Sequence, residues 1–171
     1  MNVSRFVLII AIIAAFSVLC SKLPDEVYME RGAEYAKQAE YDKAIGSYEK
    51  LADLYPRSPL RAEALYQAGL IYANRLQKFD EAIEKLTTVK TEYSSDKIAS
   101  QCQFMIGFIY ANMANDTTRA RDAYNLFLQK YPNHKLRSSV EWELKYLGKD
   151  INEIDELKNL GQAVDNASAE K

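Results

Sequence analysis

The feature that most constrains the fold of this chain is a repeat with a period of 38 residues. Tyr55, Tyr93 and Tyr131 are separated by this step. The same step links three further sets, which are Ala44, Ala82 and Ala120, then Tyr48, Leu86 and Tyr124, then Leu51, Val89 and Phe127. Because several residue types agree at one step of this length, the sequence predicts an array of small stacked units instead of a single globular core.

Each unit is predicted to form two helices. The first helix carries the pattern Gly-x-x-Tyr, which begins at Gly32, Gly69 and Gly107. The second helix carries an alanine followed by large apolar residues four and seven positions later, and this spacing places all three on one helical face. The dipeptides Tyr55-Pro56 and Tyr131-Pro132 are predicted to end two of the second helices, since proline disfavours helix at the residue before it. A glycine inside a helix costs about 1 kcal/mol relative to alanine, so its recurrence predicts that the partner helix and its alanine approach closely.

The succession of Gly-x-x-Tyr, Ala-x₃-aromatic or leucine, and Tyr-Pro resembles the tetratricopeptide repeat (TPR). The resemblance covers residues from about 25 to 146. It implies an all-α fold, a right-handed α-α superhelix with three helix-turn-helix repeats at about 25–56, 58–94 and 96–132. Residues 135–147 continue the period as a lone first helix, which we expect to cap the array because a solenoid needs a terminal element over its last apolar face. A plain antiparallel helical bundle with coincident spacings is the alternative fold.

The long period and the Tyr-Pro-x-Ser sequence between units are similar to the bacterial envelope branch of that family. This branch includes BamD-type lipoproteins of outer-membrane assembly and CpoB-type proteins associated with Tol-Pal. The chain differs from both types, since it has three repeats where BamD-like proteins have about five, and it lacks the coiled-coil segment of CpoB-like proteins. The resemblance implies a role in outer-membrane protein assembly or in Tol-Pal and peptidoglycan coordination.

The first nineteen residues are predicted to be a signal peptide. A short positively charged start ends at Arg5, and an apolar run of 14 residues extends from Phe6 to Leu19. A helix of that length spans only about 21 Å at 1.5 Å per residue, which is less than the hydrocarbon core of a bilayer. A positive start followed by a short apolar run is typical of a secretory signal.

Cys20 directly follows the apolar run and resembles the cysteine of a bacterial lipobox. The resemblance implies that Cys20 is lipidated, becomes the mature N-terminus and anchors the protein in a membrane. Ser21 after the cysteine implies the outer membrane, facing the periplasm. Leu19 and Ser17 depart from the usual lipobox residues, and two alternatives stay open. They are an uncleaved inner-membrane signal anchor, and ordinary cleavage near Ala15 or Ser17 that releases a soluble periplasmic protein.

The end of the chain is predicted to hold one more short element. Gly148 ends the capping helix, and Asp150 can then cap a short helix at 150–161, with Ile151, Ile154 and Leu157 on one side. Residues 162–171 are small and polar, so we expect them to be disordered.

A binding groove is predicted on the first helices of the units, which in TPR arrays line the concave surface that holds a peptide or a partner's helix. Counted from each glycine, the inward positions are apolar and largely aromatic. They include Tyr66, Leu70, Phe104, Phe108, Trp142 and Tyr146. Rigid aromatic side chains supply large contact area at low entropic cost, so we expect an apolar segment of a protein partner to bind along them. The alternative is that these side chains are packed as core.

Composition argues against several other functions. The chain has 22 Lys and Arg against 24 Asp and Glu, a net charge of −2, and these charges are spread along its length, which argues against nucleic acid as a partner. One histidine and two cysteines leave little for a metal site or a catalytic group. His134 is predicted to be solvated or capping, and Cys102 to be buried. No phosphate loop or Ser/His/Asp set is visible, so we predict no catalytic residues, no metal, no cofactor and no small-molecule substrate.

The sequence therefore predicts a non-catalytic interaction scaffold, a membrane-anchored TPR lipoprotein of the bacterial cell envelope. Two alternatives stay open: a self-associating structural protein of the envelope, or an accessory subunit of an envelope enzyme complex.

Overall fold

A computed structural model of the chain describes residues 23–150 and Ile154. These residues form seven α-helices and contain no strand. The helices are α1 (Asp25–Lys37), α2 (Tyr41–Leu54), α3 (Arg61–Asn74), α4 (Phe79–Glu92), α5 (Lys97–Phe108, continued by a π-helical turn, Ile109–Met113), α6 (Thr117–Lys130) and α7 (Arg137–Tyr146). The predicted signal peptide 1–19, Cys20, the predicted tail 162–171, and all of 150–161 except Asp150 and Ile154 lie outside the described residues.

The helices pack as a linear array. Each helix makes its main contacts with the next helix along the chain, and α3 also contacts α5, the first helix of the following unit. A bundle would instead bring together helices that are distant in sequence. The all-α solenoid of three helix-turn-helix repeats, followed by α7, is therefore confirmed. None of the helices in the described part is long and apolar enough to cross a membrane.

The apolar stripe of each second helix forms the core. In α6, Ala120, Tyr124 and Phe127 are fully buried, and the equivalent residues of α2 and α4 are at most 3% exposed. Burial of one such large side chain stabilises the fold by about 1.5–3 kcal/mol. The buried residues fall into three successive clusters along the array, which is the arrangement expected when each unit contacts only its neighbours.

The recurring glycines lie where the two helices of a unit approach most closely. A Cβ at Gly32 would lie 2.7 Å from Cδ1 of Tyr48, and a Cβ at Gly107 would lie 2.6 Å from Cδ1 of Tyr124. The prediction of close approach is confirmed. The group that needs the space, however, is mainly the large side chain four residues after the alanine, because its atoms are the nearest to the added Cβ in all three units.

The turn inside each unit is closed by the tyrosine of the Gly-x-x-Tyr pattern. The carbonyl of that tyrosine accepts a hydrogen bond from the backbone N–H just before the second helix, at 2.8–2.9 Å in all three units. One residue in each turn has a positive φ of 53–59°, and these residues are Ala39, Gln77 and Asn115. They are one period apart, yet none is glycine, the residue that usually occupies this conformation.

The first unit is one residue shorter than the others, and compared with the second unit the difference lies in the turn. Three residues, 38–40, join α1 to α2, whereas four residues, 75–78, join α3 to α4. In the third unit the additional residue is accommodated by the π-helical turn Ile109–Met113. There, the N–H of Ala114 donates to the carbonyl of Ile109, five residues back. A wider turn of this kind is how a helix absorbs one inserted residue.

Candidate functional site

Two of the predicted groove residues meet in an open groove between the second and third units. Tyr66 of α3 and Phe104 of α5 line it, with Met105 and Leu136 adding apolar wall and Gln101 at its rim. The groove has a volume of about 280 Å³. We call it the central groove.

Phe104 belongs both to the central groove and to the core. Its ring centroid lies 6.2 Å from that of Tyr124 and 6.4 Å from that of Phe127, two fully buried residues of α6. A third ring, that of Phe108, lies 6.3 Å away on the same helix. The inner side of Phe104 is therefore packed as core, and its outer side faces the central groove.

Tyr66 is half-buried at the opposite wall of the central groove. Burial raises the pKa of its phenol above the usual value of 10, with the nearby Cys102 and the Glu63 carboxylate adding to the shift. The phenol is therefore neutral at physiological pH and can offer a hydrogen bond beside an apolar ring face.

His134 forms part of the groove wall through a chain of hydrogen bonds. Its Nδ1 accepts the backbone N–H of Leu136 at 3.2 Å, so the ring proton is assigned to Nε2, which lies 3.2 Å from Oγ of Ser100. The Ser100 hydroxyl donates in turn to the carbonyl of Lys97 at 2.7 Å. Phe127 meets the imidazole edge-on at 5.4 Å. The prediction of a capping histidine is confirmed, and the residue connects the turn before α7 to the first turn of α5.

The sequence contained a signal for this contact that was not used. Ser58 lies two periods before His134 and plays the same part in the first unit. Its Oγ accepts the backbone N–H of Leu60 at 3.0 Å, and its hydroxyl donates to the carboxylate of Asp25 in the first turn of α1. The period therefore carries a signal for the contact made by His134, because Ser58 and His134 occupy equivalent positions of the repeat.

Leu70 lies in a different opening from Tyr66. It lines a cleft of about 470 Å³ with Tyr41, Ile71 and Arg75, at the other end of α3. The Arg75 guanidinium lies 5.8 Å from the centre of the Tyr41 ring, which makes this cleft partly cationic.

Trp142 and Tyr146 lie in a third opening, at the C-terminal end of the array. This cleft has a volume of about 640 Å³ and includes Ala111 and Ile154. We call it the C-terminal cleft. Trp142 is 45% exposed, whereas Tyr146 is only 8% exposed, and their ring centroids are 4.8 Å apart. Five of the six predicted groove residues are thus divided among three openings, and Phe108 lines none of these. Tyr146 supplies little accessible surface.

The buried polar groups of the array are structural in character. Cys102 is fully buried, as predicted, and burial raises the pKa of its thiol to about 12, so it is not a nucleophile at neutral pH. Gln103 is also buried, and its side-chain amide donates to the carbonyl of Ala123 at 2.8 Å, which joins α5 to α6. Among residues 23–150 and Ile154, no group of three or more His, Cys, Asp and Glu side chains is placed to hold a metal ion.

Comparison with known families gives one match. The model of the tetratricopeptide repeat family matches the chain three times, at residues 28–58, 63–96 and 101–134. The three segments together cover more than half of the chain, and each contains most of one helix pair. No curated protein matches the chain.

Proposed function

The chain belongs to the tetratricopeptide repeat family, and from that membership we propose that it is a non-catalytic scaffold which holds an apolar segment of a partner protein in the central groove. The observation that carries the proposal is the meeting of Tyr66 and Phe104 in an open groove, where Met105 and Leu136 add further apolar surface.

The packing of the central groove supports this function. The buried rings of Tyr124 and Phe127 pack against Phe104 from the inner side. Because the Phe104 side chain is already fixed, it would lose little conformational entropy when a partner binds. Rigid aromatic surface of this kind dominates the energetics of protein interfaces. The walls carry one charged residue, Lys135, at the rim, and this composition favours an apolar segment over an acidic or basic one.

We also propose that the protein is exported and tethered to a bacterial membrane through a lipid on Cys20. The sequence of the first twenty residues supports this anchor. The described helix α1 begins at Asp25, five residues after Cys20, and five extended residues span about 17 Å. The array would therefore be held close to the membrane surface. A place at the outer membrane, in the assembly of its proteins or in Tol-Pal and peptidoglycan coordination, is the role that the envelope branch of the family suggests.

Co-purification from native membranes tests the binding role. We expect Met105→Glu, which places a carboxylate in the central groove, to abolish recovery of the partner. Asn125→Glu adds the same charge on the exposed side of α6 and should leave recovery unchanged. Far-UV circular dichroism of both variants checks that the array is folded. Equal recovery with both folded variants would contradict the proposal.

Labelling with palmitate tests the anchor separately. The wild-type chain should incorporate the label, and Cys20→Ala should not. Absence of label in the wild type would favour a signal anchor or a released periplasmic protein. A purified array whose mass does not depend on concentration would contradict the alternative of a self-associating structural protein.

A further inference from the structure

The C-terminal cleft is lined in part by a residue from beyond the last helix of the array. Ile154 lies beyond the last helix of the array, yet it is only 4% exposed and lines this cleft with Ala111, Trp142 and Tyr146. An isoleucine in the sequence after a terminal helix would be expected at the surface. Its burial shows that the chain turns back toward the array after α7.

Gly148 provides the reversal of the chain. Its φ is +80°, a conformation that favours glycine, and a Cβ at this position would lie 3.3 Å from Cγ2 of Thr117. The backbone N–H of Lys149 donates to the carbonyl of Tyr146 at 3.0 Å. The chain is thus directed into the cleft by a defined turn within a few residues of the end of α7.

The sequence that follows has two further apolar residues in register with Ile154. Leu157 and Leu160 come three and six residues later, and the residues between them are polar or charged. In a helix, residues three apart lie on neighbouring positions of one face. With a rise of 1.5 Å per residue, both leucines would lie within about 9 Å of Ile154 along the helix axis. They would therefore lie close to the cleft that Ile154 lines, which has a volume of about 640 Å³.

We propose that residues 154–160 of the same chain dock in the C-terminal cleft, with Leu157 and Leu160 against the exposed side of Trp142. The segment then covers the apolar side chains at the end of the array, and the central groove remains for a partner. This docking is independent of the proposed function, since it requires no partner and involves no residue of the central groove.

Trp142 is the single tryptophan of the chain, so its fluorescence reports directly on the cleft. In the full-length protein, we expect Leu157→Asp and Leu160→Asp each to increase the quenching of Trp142 by acrylamide and to shift its emission to longer wavelength. Loss of one buried leucine lowers a docking equilibrium constant by roughly tenfold or more. Asn159→Asp adds the same charge on the opposite side of the segment and should leave both signals unchanged.

A chain that ends at Gly161 is a second control, because it keeps residues 154–160 and should retain the quenching of the wild type. Equal quenching in the wild type and in both leucine variants would overturn the proposal, as would increased quenching in the chain that ends at Gly161. If the protection of Trp142 disappears on dilution of the wild-type protein, the occupant is a second copy of the chain, and the proposal is also wrong. The proposal is supported if the protection of Trp142 from quenching persists on dilution and is lost only in the Leu157→Asp and Leu160→Asp variants.

Discussion

Replacing helical glycines with alanine tests the close approach of the helices within each unit. Gly46 and Gly107 lie in helices of the same array but differ in their surroundings. A Cβ at Gly46 would have nothing within 4 Å. Alanine is favoured over glycine inside a helix by about 1 kcal/mol, so Gly46→Ala should stabilise the protein by about that amount.

At Gly107 the same gain is opposed by a clash. The new Cβ would lie 2.6 Å from Cδ1 and 3.2 Å from Cζ of Tyr124, whose side chain is fully buried and cannot move into solvent. Overpacking of a closed core costs roughly 1–3 kcal/mol. After subtraction of the helix-propensity gain, Gly107→Ala should destabilise the protein by up to about 2 kcal/mol.

Gly69 is an intermediate case, and its alanine variant is expected to lie between the other two in stability. Its Cβ would lie 3.2–3.3 Å from the side chain of Leu86 and 3.4 Å from the carbonyl of Ala82. A leucine can yield by a few tenths of an ångström more easily than a buried tyrosine ring can, so the gain and the clash should nearly cancel. Gly69→Ala should leave stability close to that of the wild type.

Urea unfolding followed by far-UV circular dichroism measures the three variants. The free energy of unfolding should decrease in the order Gly46→Ala, Gly69→Ala, Gly107→Ala, with about 1–3 kcal/mol between the first and the last. If Gly107→Ala were as stable as Gly46→Ala, the contact of α5 with α6 through the ring of Tyr124 would be refuted.

Three further predictions concern the turns. Gln77 has a φ of 54°, and a left-handed conformation costs a residue other than glycine roughly 1–2 kcal/mol. Gln77→Gly should therefore raise the free energy of unfolding in urea. A decrease would contradict the turn geometry. The backbone N–H of Arg119, and then its guanidinium, hold the pKa of Asp116 below its usual 3.8, so the carboxylate stabilises α6 above that pH and this stabilisation is lost as the pH falls further. An acid titration of Asp116→Asn should show a weaker dependence, and an unchanged one would be contrary evidence. A double-mutant cycle of His134→Ala and Ser100→Ala should give a coupling energy of about 1 kcal/mol in urea unfolding, whereas strict additivity would show that their hydrogen bond contributes nothing.

The fold could be predicted from the sequence because the same apolar stripe recurs in every unit. A stripe such as Ala120, Tyr124 and Phe127 must be buried in every unit, and a recurring helix pair that contacts only its neighbours has few other ways to bury it. The closing of the turns was less predictable, since alanine and glutamine at positions 39 and 77 give no sequence signal for a positive φ. Their conformation accompanies the hydrogen bond that closes the turn, in which the backbone N–H of the next residue donates to the carbonyl of the preceding tyrosine.

The sequence predicted the candidate site as one continuous strip, whereas its residues lie in separate openings of the array. The period aligns Phe104 with Tyr66, and both line the central groove. Spacing along one helix does not, however, indicate what the next turn covers. The turn at His134 forms one wall of the central groove, and Ile154, from beyond α7, lines the same cleft as Tyr146. Both features depend on contacts between segments that are distant from the helix in question, and the aromatic strip is divided as a result.

Site-specific photo-crosslinking tests the central claim most directly, namely that the central groove holds an apolar segment of a partner. A photoreactive residue would be placed at Gln101, on the rim of the groove, or at Asp53, on the exposed side of α2, in the full-length chain in native membranes. We predict a single partner adduct from position 101, none from position 53, and loss of the adduct when Met105→Glu is added. An adduct from position 53 alone, or one from position 101 that survives Met105→Glu, would contradict the account.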